Sequence, residues 1–209
     1  MTTRKIAVVS AGLSQPSSTR LLADRLADAS VRRLEEQGFD TEVQVVELRD
    51  VAHDVTNNIL AGFASPALAD VIAAVTGADG LIAVTPIFTT SYSGLFKSFF
   101  DVIDPTALDG MPILIGATGG TERHSLALDY AMRPMFTYLH GVVAPTSVYA
   151  ASADWGSGAD TVKALPDRIE RAAGEFAALV AASDRSSQVK DPFALDGDFS
   201  TMLGGFSAD

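Results

Sequence analysis

The chain has 209 residues, 47% hydrophobic and 20% charged, the balance of an ordinary globular protein. A net charge of −11 argues against nucleic-acid binding, which depends on Lys and Arg neutralising phosphate. The absence of cysteine excludes disulfides, thiolate zinc sites, iron–sulfur ligation and thiol redox chemistry, so any redox reaction needs a borrowed cofactor.

His53, His124 and His140 are scattered and show no metal-ligand spacing. No apolar run reaches the roughly 18 residues of a membrane span. "MTTRK" leads straight into a strand-like run with no signal-peptide pattern, so a cytoplasmic location is expected.

In chain order, residues 5–10 read as a short buried strand. Residues 18–37 read as a helix with Leu22, Leu26, Ala29 and Leu34 near helical spacing and Gly38 as its stop. Residues 41–48, "TEVQVVEL", alternate as a strand, and 49–65 read as irregular. Residues 66–77 form a helix with Pro66 in its first turn, where the missing N–H costs nothing. "GLIAVT" (80–85) is a buried strand, "PIFTTSYSG" a loop, "LFKSFFDVI" a helix and "PILIGA" (112–117) a fourth strand. A helix over about 126–139 should kink at Pro134. Residues 142–149 are the fifth strand and about 166–182 the last helix.

Short apolar strands alternating with amphipathic helices predict an α/β protein: a three-layer α/β/α sandwich on a five-stranded parallel sheet of flavodoxin-like order 2-1-3-4-5. Residues 1–182 form this domain. The remainder, 183–209, is an Asp-, Gly- and Ser-punctuated tail. It is either disordered or packed on a neighbouring subunit through Phe193, Leu195, Phe199, Met202, Leu203 and Phe206.

Ligands of such sheets bind beyond the carboxyl ends of the strands, at the switch point of strand order. Three loops leave on that edge: 10–19, 85–93 and 117–124. The first, "SAGLSQPSST", enters a helix, whose N-terminus offers free N–H groups and partial positive charge to an anion. Ser10, Ser14, Ser17, Ser18 and Thr19 add hydroxyls and Arg20 a charge, whereas a helix cap alone needs one hydroxyl. Neither the P-loop nor the Gly-x-Gly-x-x-Gly spacing occurs. The second loop offers Phe88 and Tyr92 as flat walls for a planar ligand, and the third offers Gly119-Gly120 for close backbone approach. His124 reads equally as a ligand contact or a structural residue.

Three segments, "GLSQPSSTRLLADRL", "TPIFTTSYSGLFKSFFDVID" and "LDGMPILIGATGGTERHSLALDYAMRPMFTYLHG", resemble the NADPH-dependent FMN reductases of the flavodoxin-like superfamily. The chain is most similar to the subgroup paired with luciferase-like monooxygenases, akin to alkanesulfonate-system flavin reductases. The resemblance spans about residues 5–149. It implies a homo-oligomer, homodimer or homotetramer, that reduces FMN with NADPH or NADH and supplies reduced FMN to a partner flavin-dependent monooxygenase.

By position, Ser10, Ser17, Ser18, Thr19 and Arg20 match the phosphate loop. Pro86, Ile87, Phe88 and Thr89 match the isoalloxazine edge, and Thr118, Gly119 and Gly120 match the third flavin loop. The family often has Arg two residues past the first Ser and Asn at the place of Thr19. Here Ser98 replaces a frequent Asn and Met111 a frequent Lys. No catalytic side chain and no metal is implied. Arg123, Arg133 and Lys97 are candidates for a nicotinamide 2′-phosphate.

Alternatives are a quinone or azo-dye reductase holding FMN and a non-enzymatic flavin-binding electron carrier. A response regulator lacks its acidic residues, since Ser10 and Thr85-Pro86 stand in their places. A serine hydrolase lacks the first glycine before Ser91.

Overall fold

In the computed structural model of the chain, residues 2–155, 164–183 and 185 are described. Strand β1 (Thr3–Ser10) runs parallel to β2 (Asp40–Glu47) on one side and to β3 (Gly80–Phe88) on the other. Beyond β3 lies β5 (Pro112–Gly119), and beyond β5 the short β6 (Val142–Val143) and β7 (Val148–Ala151), all parallel. The parallel order is β2-β1-β3-β5-β6/β7, which, with β6 and β7 sharing the last place and the antiparallel hairpin strand left out, is the expected 2-1-3-4-5. The switch of direction falls between β1 and β3.

Period-two alternation sorts the strand residues to two cores. Ile6, Val8, Ile82, Val84 and Leu114 face helices α1 (Ser18–Glu35) and α6 (Leu165–Ala182), where Leu22, Leu26, Ile169 and Phe176 meet them. Ala7, Val9, Leu81, Ala83, Ile113 and Ile115 face the opposite layer, which holds α3 (Pro66–Thr76), α4 (Gly94–Asp101) and α5 (Arg133–Tyr138). Helix α6 packs so closely that a Cβ on Gly80 would come within 2.7 Å of Val180 and 2.8 Å of Phe176. On the other side, Phe96, Phe100 and Phe136 stack edge-to-face, with centroids 4.8, 4.9 and 6.1 Å apart.

Four stretches differ from the sequence expectation. Residues 49–65 are largely helical: a turn of 3-10 helix (Leu48–Val51) feeds α2 (Ala52–Ala61), which ends at Gly62 with φ of +80°. In α2 only Val55 is buried, so no apolar stripe marked it. The segment "PIFTTSYSG" is a hairpin, because β3 continues to Phe88 and pairs antiparallel with β4 (Ser91–Tyr92).

The helix expected from residue 126 begins as a π turn over Leu128–Met132, with Arg133 N–H bonded five residues back to Leu128 O. Pro134, in the first turn of α5, has no N–H to continue a regular ladder. The fifth strand is split at Pro145, and Arg133 fills the gap by donating to the carbonyls of Ala144 (3.0 Å) and Pro145 (3.1 Å).

At the opposite end of the sheet from the three loops, Arg185 donates to the carbonyls of Thr76 (2.8 Å), Ala107 and Asp109. Phe193, Leu195, Phe199, Met202, Leu203 and Phe206 lie outside the described residues. Among the described residues no single helix is long and apolar enough to cross a membrane.

Candidate functional site

The first loop is shaped by how β1 hands over to α1. Ala11 N–H still bonds to Val84 O at 2.9 Å, and the chain then leaves the sheet at Gly12. A Cβ on Gly12 would lie 2.0 Å from Ser17 Oγ, 3.1 Å from Ser17 Cβ and 3.2 Å from Thr19 Cβ, so only glycine lets the loop fold back on the helix start. Ser17 is the N-cap, its Oγ accepting from Arg20 N–H at 3.2 Å. The first turn of α1 holds no acidic residue, so its free N–H groups and partial positive charge are unopposed.

The second loop is the hairpin tip. Ile87 pairs with Tyr92 and Phe88 with Ser91, leaving Thr89 and Thr90 as a two-residue turn with φ of +48° and +68°. Two positive φ values are those of a type I′ turn, normally filled by Asn and Gly, and β-branched Thr adopts them only under strain. The base of the hairpin is fixed by Thr85, whose Oγ1 accepts from Ser93 N–H at 3.1 Å. Ser93 in turn caps α4 by accepting from Phe96 N–H.

The third loop continues β5 through Thr118 and Gly119. Thr118 and Thr19, both buried, share a hydrogen bond between their hydroxyls at 2.8 Å, which ties the first loop to the third. One hydrogen of this pair is spent on the partner oxygen and the other is left for a ligand.

The three loops enclose one cleft of about 490 Å³, within the range of a small-molecule site. Nine expected residues line it: Ser17, Ser18, Thr19, Pro86, Ile87, Phe88, Thr118, Gly119 and Gly120. Three do not. Ser10 is not in the lining, its Oγ buried and without a hydrogen-bond partner among the described residues. Thr89 sits at the hairpin tip outside the lining.

Arg20 turns away from the loop to Asp24 (2.7 Å) and Glu47 (2.6 Å). The hydrogen bond to Asp24, reinforced by Glu47, raises the pKa of its guanidinium. One of these two carboxylates, Glu47, lies 27 residues away on β2, beyond the reach of any local pattern.

The lining also includes Gly12, Leu13, Ser14, Ser152 and Trp155. Ser152 and Trp155 belong to a 3-10 turn just past β7, on the same edge of the sheet. That edge position was the available signal for them. Trp155 is the only tryptophan of the chain, and its ring carries the Arg25 guanidinium 5.1 Å from its centroid. The turn is held by Asp154, which accepts from Ala151 N–H at 2.7 Å and pairs with Arg168.

Two of the three candidate cations for a 2′-phosphate are engaged elsewhere. Arg133 holds Asp129 and two carbonyls, and Lys97 pairs with Asp101. Arg123, exposed on the turn Glu122–His124 that follows Gly120, is committed to no partner among the described residues.

An anion-ready helix N-terminus, hydroxyl donors and flat apolar walls suit a phosphorylated planar ligand. The family model for NADPH-dependent FMN reductases matches residues 4–156, about three quarters of the chain and all three loops. The chain belongs to that family.

An FMN reductase (NADPH) of Pseudomonas aeruginosa is 36% identical over 175 residues, 84% of this chain and 91% of the relative. The NADH-dependent FMN reductase SfnF of Pseudomonas fluorescens is 35% identical over the same shares. Among solved structures, an oxidoreductase of Corynebacterium diphtheriae aligns with a TM-score of 0.83 at 43% identity, covering 88% of this chain and all of that one. The apo form of an NADH:FMN oxidoreductase, EMOB, aligns at 0.75 and 25% identity, covering 88% and 93%. The protein is an NAD(P)H-dependent FMN reductase, an oxidoreductase whose small molecules are flavin and a reduced nicotinamide.

Proposed function

We propose that the reductase binds FMN in the three-loop cleft, phosphate on the start of α1 and ring along residues 86–88 and 118–120. The observation that carries this reading is the convergence of nine expected residues on one cleft at the sheet's switch point. The cleft fits the group. Gly119 and Gly120 put bare backbone in the lining, and the uncharged N–H groups and hydroxyls of Ser18 and Thr19 suit a phosphate.

When bound, FMN supplies the ring that accepts two electrons from the nicotinamide. The chain's part is positioning: the hairpin and the Thr118–Gly120 turn fix the ring's edges, and Phe88 and Trp155 wall the cleft. With Arg20 held by two carboxylates, no cation of the described residues lines the phosphate end. This favours FMN that exchanges as a substrate over a permanently held group. Reduced FMN then passes to a partner flavin-dependent monooxygenase in the cytoplasm. Arg123 is the side chain that would meet a 2′-phosphate, because Arg133 and Lys97 are occupied.

The reductase domain ends near residue 182, and the protein works as a homo-oligomer. Leu126, Tyr130 and Tyr138 support self-association, being 63, 79 and 76% exposed along one helical segment. Sedimentation equilibrium reads that assembly directly.

The test of the reaction is anaerobic. Purified protein mixed with NADPH or NADH should bleach added FMN at a rate proportional to enzyme. The bleaching should saturate in FMN, and the FMN should be recovered free in a filtrate. Turnover only with a quinone, with FMN carried through in fixed stoichiometry, would replace FMN by the quinone as the acceptor.

A further inference from the structure

Tyr149 stands outside the cleft lining, directly behind Gly119. It lies on β7 opposite Ala117 of β5, so its side chain shares a face with Gly119 two residues on. The residue is 5% exposed. Its hydroxyl donates to the carbonyl of Thr121 at 2.8 Å, closing the turn that carries Gly119 and Gly120 past the cleft. The same hydroxyl fills the space of a side chain at 119: a Cβ there would lie 2.0 Å from Tyr149 Oη, 3.1 Å from Cζ and 3.8 Å from Cε2.

The other end of Tyr149 is fixed as well. Its carbonyl accepts from Arg168 of α6, which also pairs with Asp154 beneath Trp155. Burial, with Glu122 and Asp154 nearby, raises the phenol's pKa, so the hydroxyl remains a donor at neutral pH.

We infer that Tyr149 is a positioning residue of the reductase: its hydroxyl sets the third loop by one hydrogen bond and by excluding any side chain at Gly119. This deepens the flavin assignment above and rests on it for its functional consequence. Nothing in Tyr149 touches the ligand; it acts through the shape of residues 119–121.

The test is a double-variant cycle of Tyr149→Phe and Gly119→Ala, read by quenching of Trp155 emission on FMN titration and by thermal midpoint without flavin. Y149F keeps the ring and loses one hydrogen bond, so FMN affinity should fall about three- to tenfold. The midpoint should fall by about 2–4 °C. G119A should lower affinity more than about tenfold, because the loop must move off the hydroxyl.

In the double variant the nearest atom to the new methyl is a ring carbon at 3.1 Å instead of an oxygen at 2.0 Å. Gly119 is not at positive φ, so alanine suits its backbone. Y149F should therefore rescue G119A, bringing the double variant close to Y149F alone in both readouts. Effects that multiply, or a Y149F protein with wild-type FMN affinity, would overturn the proposal. Rescue of the midpoint in a chain that shows no saturable FMN binding supports the clamp and instead refutes the flavin assignment of the cleft.

Discussion

Gly12→Ala is expected to cost the reductase about five- to a hundredfold in FMN affinity. The added methyl meets Ser17 Oγ at 2.0 Å, with Ser17 Cβ and Thr19 Cβ at 3.1 and 3.2 Å. Two responses are open. Ser17 can rotate, which gives up the cap to Arg20 N–H, or the loop can swing outward and carry the first-turn N–H groups off the phosphate position. Forcing a methyl into a packed site costs about 1–3 kcal/mol and losing an N-cap about 1 kcal/mol. Either route costs about 1–3 kcal/mol, which corresponds to a factor of about five to a hundred at tenfold per about 1.4 kcal/mol. Calorimetric titration with FMN and with riboflavin separates the two outcomes. A phosphate-specific loss should appear with FMN and be nearly absent with riboflavin, whereas equal losses for both would place the phosphate elsewhere.

Phe136→Ala should have the largest effect on stability. Phe136 is fully buried and meets Phe96 and Phe100 edge-to-face, so its removal opens a cavity bounded by α4, α5 and β5. Truncation of a buried Phe costs about 3–5 kcal/mol. For a chain of this size, with about 2–4 °C lost per kcal/mol, the midpoint should fall by roughly 6–20 °C. Differential scanning calorimetry checks it. A fall under 2 °C would mean that this layer collapses without penalty and that the aromatic trio does not hold α4 and α5 in place.

The parts of the fold legible in the sequence are those where one local pattern suffices. The runs "KIAVV", "GLIAVT" and "PILIGA" are apolar because helices cover both faces of a parallel sheet, and α1 shows its stripe because one face meets the sheet. Helix α2 escaped because only Val55 points inward. The hairpin at residues 87–92 escaped because its turn is Thr-Thr, a pair that resists positive φ. Tertiary packing overrides the local preference there, beside the cleft.

The site divides in the same way. Loop residues adjacent in sequence, such as Ser17, Ser18 and Thr19, fell into the cleft lining because the strand–turn–helix unit places them. Arg20 stands outside the lining because its partner Glu47 is set by the register of β2 against β1, which no local pattern reveals. Trp155 and Tyr149 were missed for the mirror reason. Their importance arises from a turn and a strand brought alongside β5 from 30 residues downstream.

The most direct measurement of the central claim, that FMN occupies the three-loop cleft, uses the chain's single tryptophan. Trp155 lines that cleft, so its emission reports occupancy without labelling. Titration with FMN, corrected for absorption by the flavin, should quench Trp155 saturably. The midpoint should match the FMN concentration that half-saturates NAD(P)H oxidation, and excess inorganic phosphate should shift it upward. Full FMN-dependent turnover with Trp155 emission unchanged across the titration would place the flavin somewhere else on the molecule.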